Sequence, residues 1–331
     1  MRQHNVHRAI KDIHSYKHRR KIGARVFKYI EQLGGTKVLN QIKWDTFYIC
    51  KEDGNGFKKN QRVKQKPEGI KSREITYIVN KDLRKHFARM AKIIEISTNY
   101  QIGFATGKSI HQARLKTQVR KMWLIDLESA FEQIKANEIR YVLEKVFTIR
   151  KEQAIALTNS LTRNGHLVQG HPMAPALFNI FTIPLINRLS KVVTVRQYAD
   201  DIIIYSKFEF VSHKFTKFIR KIFKEENWII NPKKFKFARK WFCVLGMYLD
   251  FQSRIIYTKA RHARKGMNEL KRQIDVTTSK KKLQALIGKF RWYSQFWDNL
   301  KLKRYESLML SNKIALKRGI HKNFDNSLLF F

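Results

Sequence analysis

A chain of 331 residues that is 43% hydrophobic can bury a sizeable core, which excludes a short peptide or a disordered basic tail. Its 68 Lys and Arg against 26 Asp and Glu give a formal net charge of +42, so the expected partner is a polyanion, and nucleic acid fits better than a membrane surface. Cys50 and Cys243 alone supply neither a disulfide framework nor a four-ligand zinc site, and no run approaches the ~20 apolar residues of a spanning helix. A reducing, cytoplasmic setting without membrane contact is therefore expected.

Residues 1 to 30 carry Arg2, Arg8, Lys11, Lys17, Arg19, Arg20, Lys21, Arg25 and Lys28 against the single Asp12, on a stretch that reads as helix. Such a density of cations predicts an arm facing phosphates. From Asp53 to Arg73 turn formers and lysines alternate without a hydrophobic period, which predicts a long, mobile basic loop or hairpin. Met122, Trp123, Leu124 and Ile125 then run as a buried strand into Asp126, with a helical pattern beginning near Glu132. Further on, Val192, Val193 and Val195, then Ile202, Ile203, Ile204 and Tyr205, favour two short strands joined at Tyr198-Ala199-Asp200-Asp201. After about residue 258 the chain turns basic and helical, with Trp292, Tyr293, Phe296 and Trp297 at helical spacing.

Taken alone, the two hairpin aspartates are compatible with an ordinary polar turn. Asp126 brought beside them would form a cluster too repulsive to stay ionised without cations, and hard oxygen ligands suit Mg²⁺. Two such ions serve in-line phosphoryl transfer, one lowering the pKa of an attacking hydroxyl and the other stabilising the leaving pyrophosphate.

Seven ordered segments resemble the reverse transcriptases, in the branch holding bacterial retroelement and group II intron enzymes. They are "GIKSREITYIVNKDLRKHFARMAKII", "YQIGFATGKSIHQAR", "LIDLESAF", "VQGHPMAPALFNIF", "YADD", "INPKKF" and "VLGMYL". The resemblance implies an α+β right-hand polymerase: fingers, a palm with an antiparallel sheet and the YADD hairpin, and a helical thumb. Its implied divisions are a basic N-terminal helical extension over 1–52, fingers over 53–121, palm over 122–257, and a basic thumb and tail over 258–331. Carried over residue by residue, Asp126, Asp200 and Asp201 would bind two Mg²⁺ ions, with Mn²⁺ as a substitute. Lys234, with Lys233 beside it, matches the lysine that protonates pyrophosphate. Arg73 and Lys71 match triphosphate-clamping residues, and Arg84 and Arg89 stand between that role and plain solvent exposure. Phe131 matches the aromatic that walls off the sugar 2′ position, and Gln169 and Gly170 match the pair lying against nucleotide and template. Leu245, Gly246 and Met247 fall in the primer grip.

The implied activity is RNA-directed DNA synthesis from deoxynucleoside triphosphates, on a structured non-coding RNA template with a DNA or RNA primer. An accessory protein and a role in a bacterial or phage retroelement or defence system are compatible with the family. Template-independent DNA addition and an RNA-binding scaffold that has lost synthesis stay open as alternatives.

Overall fold

A computed structural model of the protein describes residues 2–52, 56–108, 110–113, 119, 121–206 and 213–238, the strand residues 241–244, 247–250 and 255–258, and residues 272–273, 276 and 283–286. In chain order the elements are α1 (Arg2–Ile13), α2 (Tyr16–Gln32), α3 (Gly35–Asn40), β1 (Trp44–Cys50), β2 (Arg62–Val63), β3 (Ser72–Ile78), α4 (Lys81–Ile94) and β4 (Lys121–Asp126). There follow α5 (Ala136–Tyr141), α6 (Lys151–Leu161), β5 (Thr162–Arg163), β6 (His166–Leu167), α7 (Ala174–Ser190), β7 (Thr194–Tyr198), β8 (Asp201–Ser206) and α8 (His213–Glu225). Strands β9 (Lys236–Ala238), β10 (Trp241–Val244), β11 (Met247–Asp250) and β12 (Ile255–Thr258) complete the series. Packing divides the chain into one unit over 1–113 and 121–237 and another over 114–120 and 238–331.

In the first unit a four-stranded sheet runs in the order β7-β8-β4-β9. The three isoleucines of β8 are consecutive because this strand lies inside the sheet with both faces covered: Ile202, Ile203 and Ile204 are all fully buried. Helix α7 packs behind the sheet and is buried on almost every side, as expected of a helix apolar all round. A second sheet, β2-β1-β3, pairs Trp44 with Ile78 through Cys50 with Ser72 in antiparallel register. The expected basic loop after Asp53 thus includes the short strand β2 and ends in β3, whereas β1 has no counterpart in the sequence reading. The expected helix near Glu132 begins later, at Ala136, because residues 128–133 form turns with Ser129 at φ 42°.

The N-terminal segment, expected as a phosphate-facing arm, also packs into the body of the fold. Helices α1 and α2 bury Val6, Ile10, Ile22, Val26 and Ile30 in the same core as the sheet and α7. Two of the segment's cations go in with them. Arg2 is 6% exposed; its Nη1 donates to Gln133 O at 2.6 Å, its Nη2 donates to Asn227 O, and its guanidinium lies 4.3 Å from the Trp228 ring centre. Arg19 donates to Val146 O at 3.3 Å. The remaining arginines and lysines of these helices stay exposed.

In the second unit β10, β11 and β12 form an antiparallel sheet, with Val244 paired to Met247. These strands, expected within the palm, pack in the same unit as the residues that follow them. Leu245 and Gly246 of the expected primer grip, and Trp292, Tyr293, Phe296 and Trp297 of the expected thumb, lie outside the described residues. No helix among the described residues is long and apolar enough to cross a membrane.

Candidate active site

The antiparallel pairing of β4 with β8 runs from Lys121 opposite Ser206 to Asp126 opposite Asp201. Residues paired this way have Cα atoms about 4.5–5.5 Å apart. Ladder register alone therefore brings together two aspartates that are 75 positions apart in the chain. The third, Asp200, sits in the two-residue turn between β7 and β8, and its carbonyl accepts from Leu127 N at 3.2 Å. Ala199, the first residue of that turn, has φ 54°.

Burial of Asp201, with the nearby charges of Asp200 and Asp126, raises its pKa to about 6, against the opposing pull of Lys234 and Lys236. Asp126 is 6% exposed, and both of its oxygens accept: Lys234 Nζ donates to Oδ1 at 2.7 Å and Asn231 Nδ2 to Oδ2 at 3.5 Å. Lys234 reaches this position because residues 229–231 run beside 126–128, through Glu128 N to Ile229 O and Asn231 N to Asp126 O. The Asn231 side chain then accepts from Lys233 N and opens the short helical turn Pro232–Lys234.

Among the described residues no three His, Cys, Asp or Glu side chains already form a cluster able to hold a metal ion. The donor chemistry nevertheless suits a divalent cation: three hard carboxylates share one sheet end, and their mutual repulsion is relieved on one side by a lysine ammonium.

Arg73, Lys71 and Lys51 lie together at one end of the β1-β3 pairing. Arg73 is half-buried on β3, opposite Ile49, and Lys71 immediately precedes that strand. Lys51, absent from the sequence reading, follows β1 and donates its backbone N–H to Lys71 O at 2.7 Å. Burial, then Arg73 and Lys234, lower the Lys51 pKa while Asp200 raises it, so this ammonium stands within electrostatic reach of both Arg73 and the hairpin turn. The signal that could have found Lys51 is its place at the end of a strand hydrogen-bonded to the one carrying Arg73.

Gln169 O accepts from Thr76 N at 3.1 Å, tying its loop to β3. Gly170 has φ +115°, and a Cβ there would lie 2.4 Å from Thr76 O, so only glycine permits the approach. Phe131 is partly buried against the Phe178 ring, 5.1 Å between centroids. Arg84 covers the Tyr77 ring at 5.7 Å, and Arg89 is exposed on α4.

Three solved structures show how far the likeness to known proteins extends. The foamy viral protease-reverse transcriptase in complex with dsDNA is 19% identical over 78% of this chain and 51% of that one, with a TM-score of 0.39. The same kind of protein in complex with an RNA/DNA hybrid gives 22% identity, 66% and 30% coverage, and a TM-score of 0.35. The apo telomerase from Candida tropicalis gives 10% identity, 66% and 44% coverage, and a TM-score of 0.37. This chain thus spans about half or less of each of those chains. The family model described as reverse transcriptase (RNA-dependent DNA polymerase) matches residues 51–249, more than half of the 331, and the chain belongs to that family.

Proposed function

We propose that this protein is an RNA-directed DNA polymerase that extends a primer with deoxynucleotides by two-metal-ion nucleotidyl transfer. The observation that carries the reading is the pairing of Asp126 with Asp201 beside Asp200, in a chain of the reverse transcriptase family. Asp126, Asp200 and Asp201 would hold two Mg²⁺ ions, with Mn²⁺ as a substitute. When bound, such ions activate the primer 3′-hydroxyl and stabilise the charge that develops on pyrophosphate.

The chain's own residues do the rest. Lys51, Arg73 and Lys71 bind the triphosphate, arginine's planar fork suiting phosphate oxygens. Lys234, now hydrogen-bonded to Asp126, is placed to give a proton to the departing pyrophosphate. Phe131 excludes a ribose 2′-hydroxyl, and Gln169 with Gly170 supports the nascent base pair. Met247, with Leu245 and Gly246, positions the primer end, and the basic residues beyond 258 hold the template-primer duplex through its phosphates.

The template we propose is a dedicated structured RNA, within a bacterial or phage retroelement or defence system, with an accessory protein as a further partner. The resemblance of the seven motifs to the bacterial retroelement branch is the ground for proposing that setting. The test is incorporation of labelled dNTPs on RNA templates of defined sequence, by wild type and by Asp126→Asn and Asp200→Ala. Template-directed synthesis by wild type, with loss of at least about a thousandfold in both variants, is expected for groups that organise the reaction. Incorporation that ignores the template sequence, or survives in either variant, refutes the reading.

A further inference from the structure

Behind the hairpin turn lies a buried set of neutral polar side chains. Gln101, Asn179, Thr182 and Gln197 are all 0% exposed. Gln197 is next to last in β7, and its Nε2 donates to the carbonyl of Ala199, within the turn itself, at 3.0 Å. The Oε1 of the same amide lies 3.1 Å from Gln101 Nε2 and 3.0 Å from Thr182 Oγ1 on α7. Gln101 is fixed in turn, because its Oε1 accepts from Thr98 N at 2.8 Å and its Nε2 lies 2.7 Å from Asn179 O and 2.9 Å from Thr182 Oγ1.

The backbone of residues 101–103 is laced to the same strand. Ile102 N and Gly103 N both donate to Gln197 O, and Gln197 N donates to Tyr100 O. Asn179 Nδ2 donates to Gly103 O at 2.8 Å. A Cβ on Gly103 would lie 2.6 Å from Ala199 N, so this segment rests directly against the turn.

The turn needs that support. Its first residue has positive φ, a position where two-residue hairpins favour glycine, and it holds alanine. Left-handed backbone costs a non-glycine residue about 1–2 kcal/mol. Asp200 follows immediately and Asp201 begins β8, so any relaxation of Ala199 displaces two carboxylates. A buried network in which both glutamine amides are paired can hold such a conformation, because those groups are costly to leave unpaired; Asn179 Oδ1 is the member atom without a partner.

We propose that Gln197, oriented by Gln101 and Thr182, is a positioning residue that sets the Asp200 and Asp201 carboxylates for divalent-ion binding. Gln197 touches neither substrate nor the reacting atoms; it acts through the Ala199 carbonyl. The inference rests on the two-metal reading above. Groups that orient ligands in this way typically contribute 10- to 100-fold to metal affinity or activity.

Gln197→Met keeps the length and burial of the side chain and removes its amide. Gln101 Nε2 and Thr182 Oγ1 keep their other partners, so the variant retains the fold, which a melting curve verifies. Thr182→Val and Thr182→Ser test the same route from α7, the serine restoring the hydroxyl. Binding is read by Mn²⁺ titration with electron paramagnetic resonance, and turnover by single-nucleotide incorporation per titrated active site. For Gln197→Met, a rise in Mn²⁺ Kd and a fall in kcat, each about tenfold or more with dNTP KM within about twofold, support the proposal. Thr182→Val should shift the same way and Thr182→Ser should recover. Unchanged Mn²⁺ affinity in Gln197→Met overturns it, as does a loss confined to the fraction of folded protein. A wild type that binds Mn²⁺ but incorporates no nucleotide refutes the polymerase reading, while the comparison of affinities still decides the role of Gln197.

Discussion

His171 titrates in a way that can be isolated by one substitution. It follows Gly170 and is 1% exposed, with its ring 4.6 Å from Phe87 and 5.9 Å from Trp44 between centroids. Its Nδ1 accepts from Met173 N at 3.0 Å, which leads the chain into α7, and its Nε2 has no protein partner. Burial alone drives its pKa down from 6.5 to about 3. The folded state therefore holds the neutral ring, and the unfolded chain takes up a proton below pH 6.5. The stabilisation is complete above that pH and is lost as pH falls toward the folded value. At about 1.4 kcal/mol per pH unit, acidifying from about pH 7.5 to about pH 5 costs about 2 kcal/mol through this residue. That figure depends only on the unfolded pKa, because the folded one lies below both conditions. His171→Asn retains an acceptor for Met173 N and removes the titration. Urea unfolding at the two pH values should show the acid-induced loss to be about 2 kcal/mol smaller in the variant than in wild type. All other titrating groups, Asp201 included, cancel in that difference. Equal losses in the two proteins would mean that the ring is solvated or charged in the fold, and the reasoning would fail.

Lys51→Met should raise the dNTP KM about tenfold or more with a smaller effect on primer-template affinity, in steady-state incorporation; an unchanged KM removes Lys51 from the triphosphate site. Phe131→Val should narrow the preference for dNTP over rNTP by about tenfold or more in kcat/KM, whereas a purely structural Phe131 would lower stability and leave the ratio alone. Arg2→Met should destabilise the fold by about 3 kcal/mol in urea, because Glu138 and two backbone carbonyls lose a buried cationic partner. Replacing the exposed Arg20, Lys21, Arg25 and Lys28 of α2 by Gln should reduce the slope of log affinity against log salt for duplex RNA by up to about 3–4. An unchanged slope would exclude this helix from phosphate contact.

What could be read in advance followed from strong local patterns. Apolar runs on both sides of Asp200-Asp201 leave little alternative to a hairpin, and Met122–Ile125 identify a strand whose end is Asp126. The register placing Asp126 opposite Asp201 is a pairing between distant strands, available beforehand only through the motif resemblance. Strand β1 escaped notice because its residues are nearly all half-buried, so "WDTFYIC" lacks the alternation of a two-faced strand, and Lys51 was missed with it. Gln101 and Gln197 were given no role in the sequence reading, since nothing local announces that each will find its partners inside. In α1 and α2 the charge count overshadowed a weaker apolar stripe, Val6, Ile10, Ile22, Val26 and Ile30, that decides where these helices go.

The anchoring of Arg2 bears on the order in which the chain can fold. Its acceptors include Asn227, 225 positions away, and Asn5 Nδ2 donates to Glu226 at a separation of 221. During synthesis α1 meets its apolar packing partner α7 only after residue 190, and its polar partners Glu226 and Asn227 only when nearly all of the first unit has emerged. Closing a loop of that length costs about 5 kcal/mol of chain entropy before any contact is made. Docking of the first helix is thus a late step in maturation, and chaperone dependence or aggregation of nascent chains should concentrate in the interval before residue 228 leaves the ribosome.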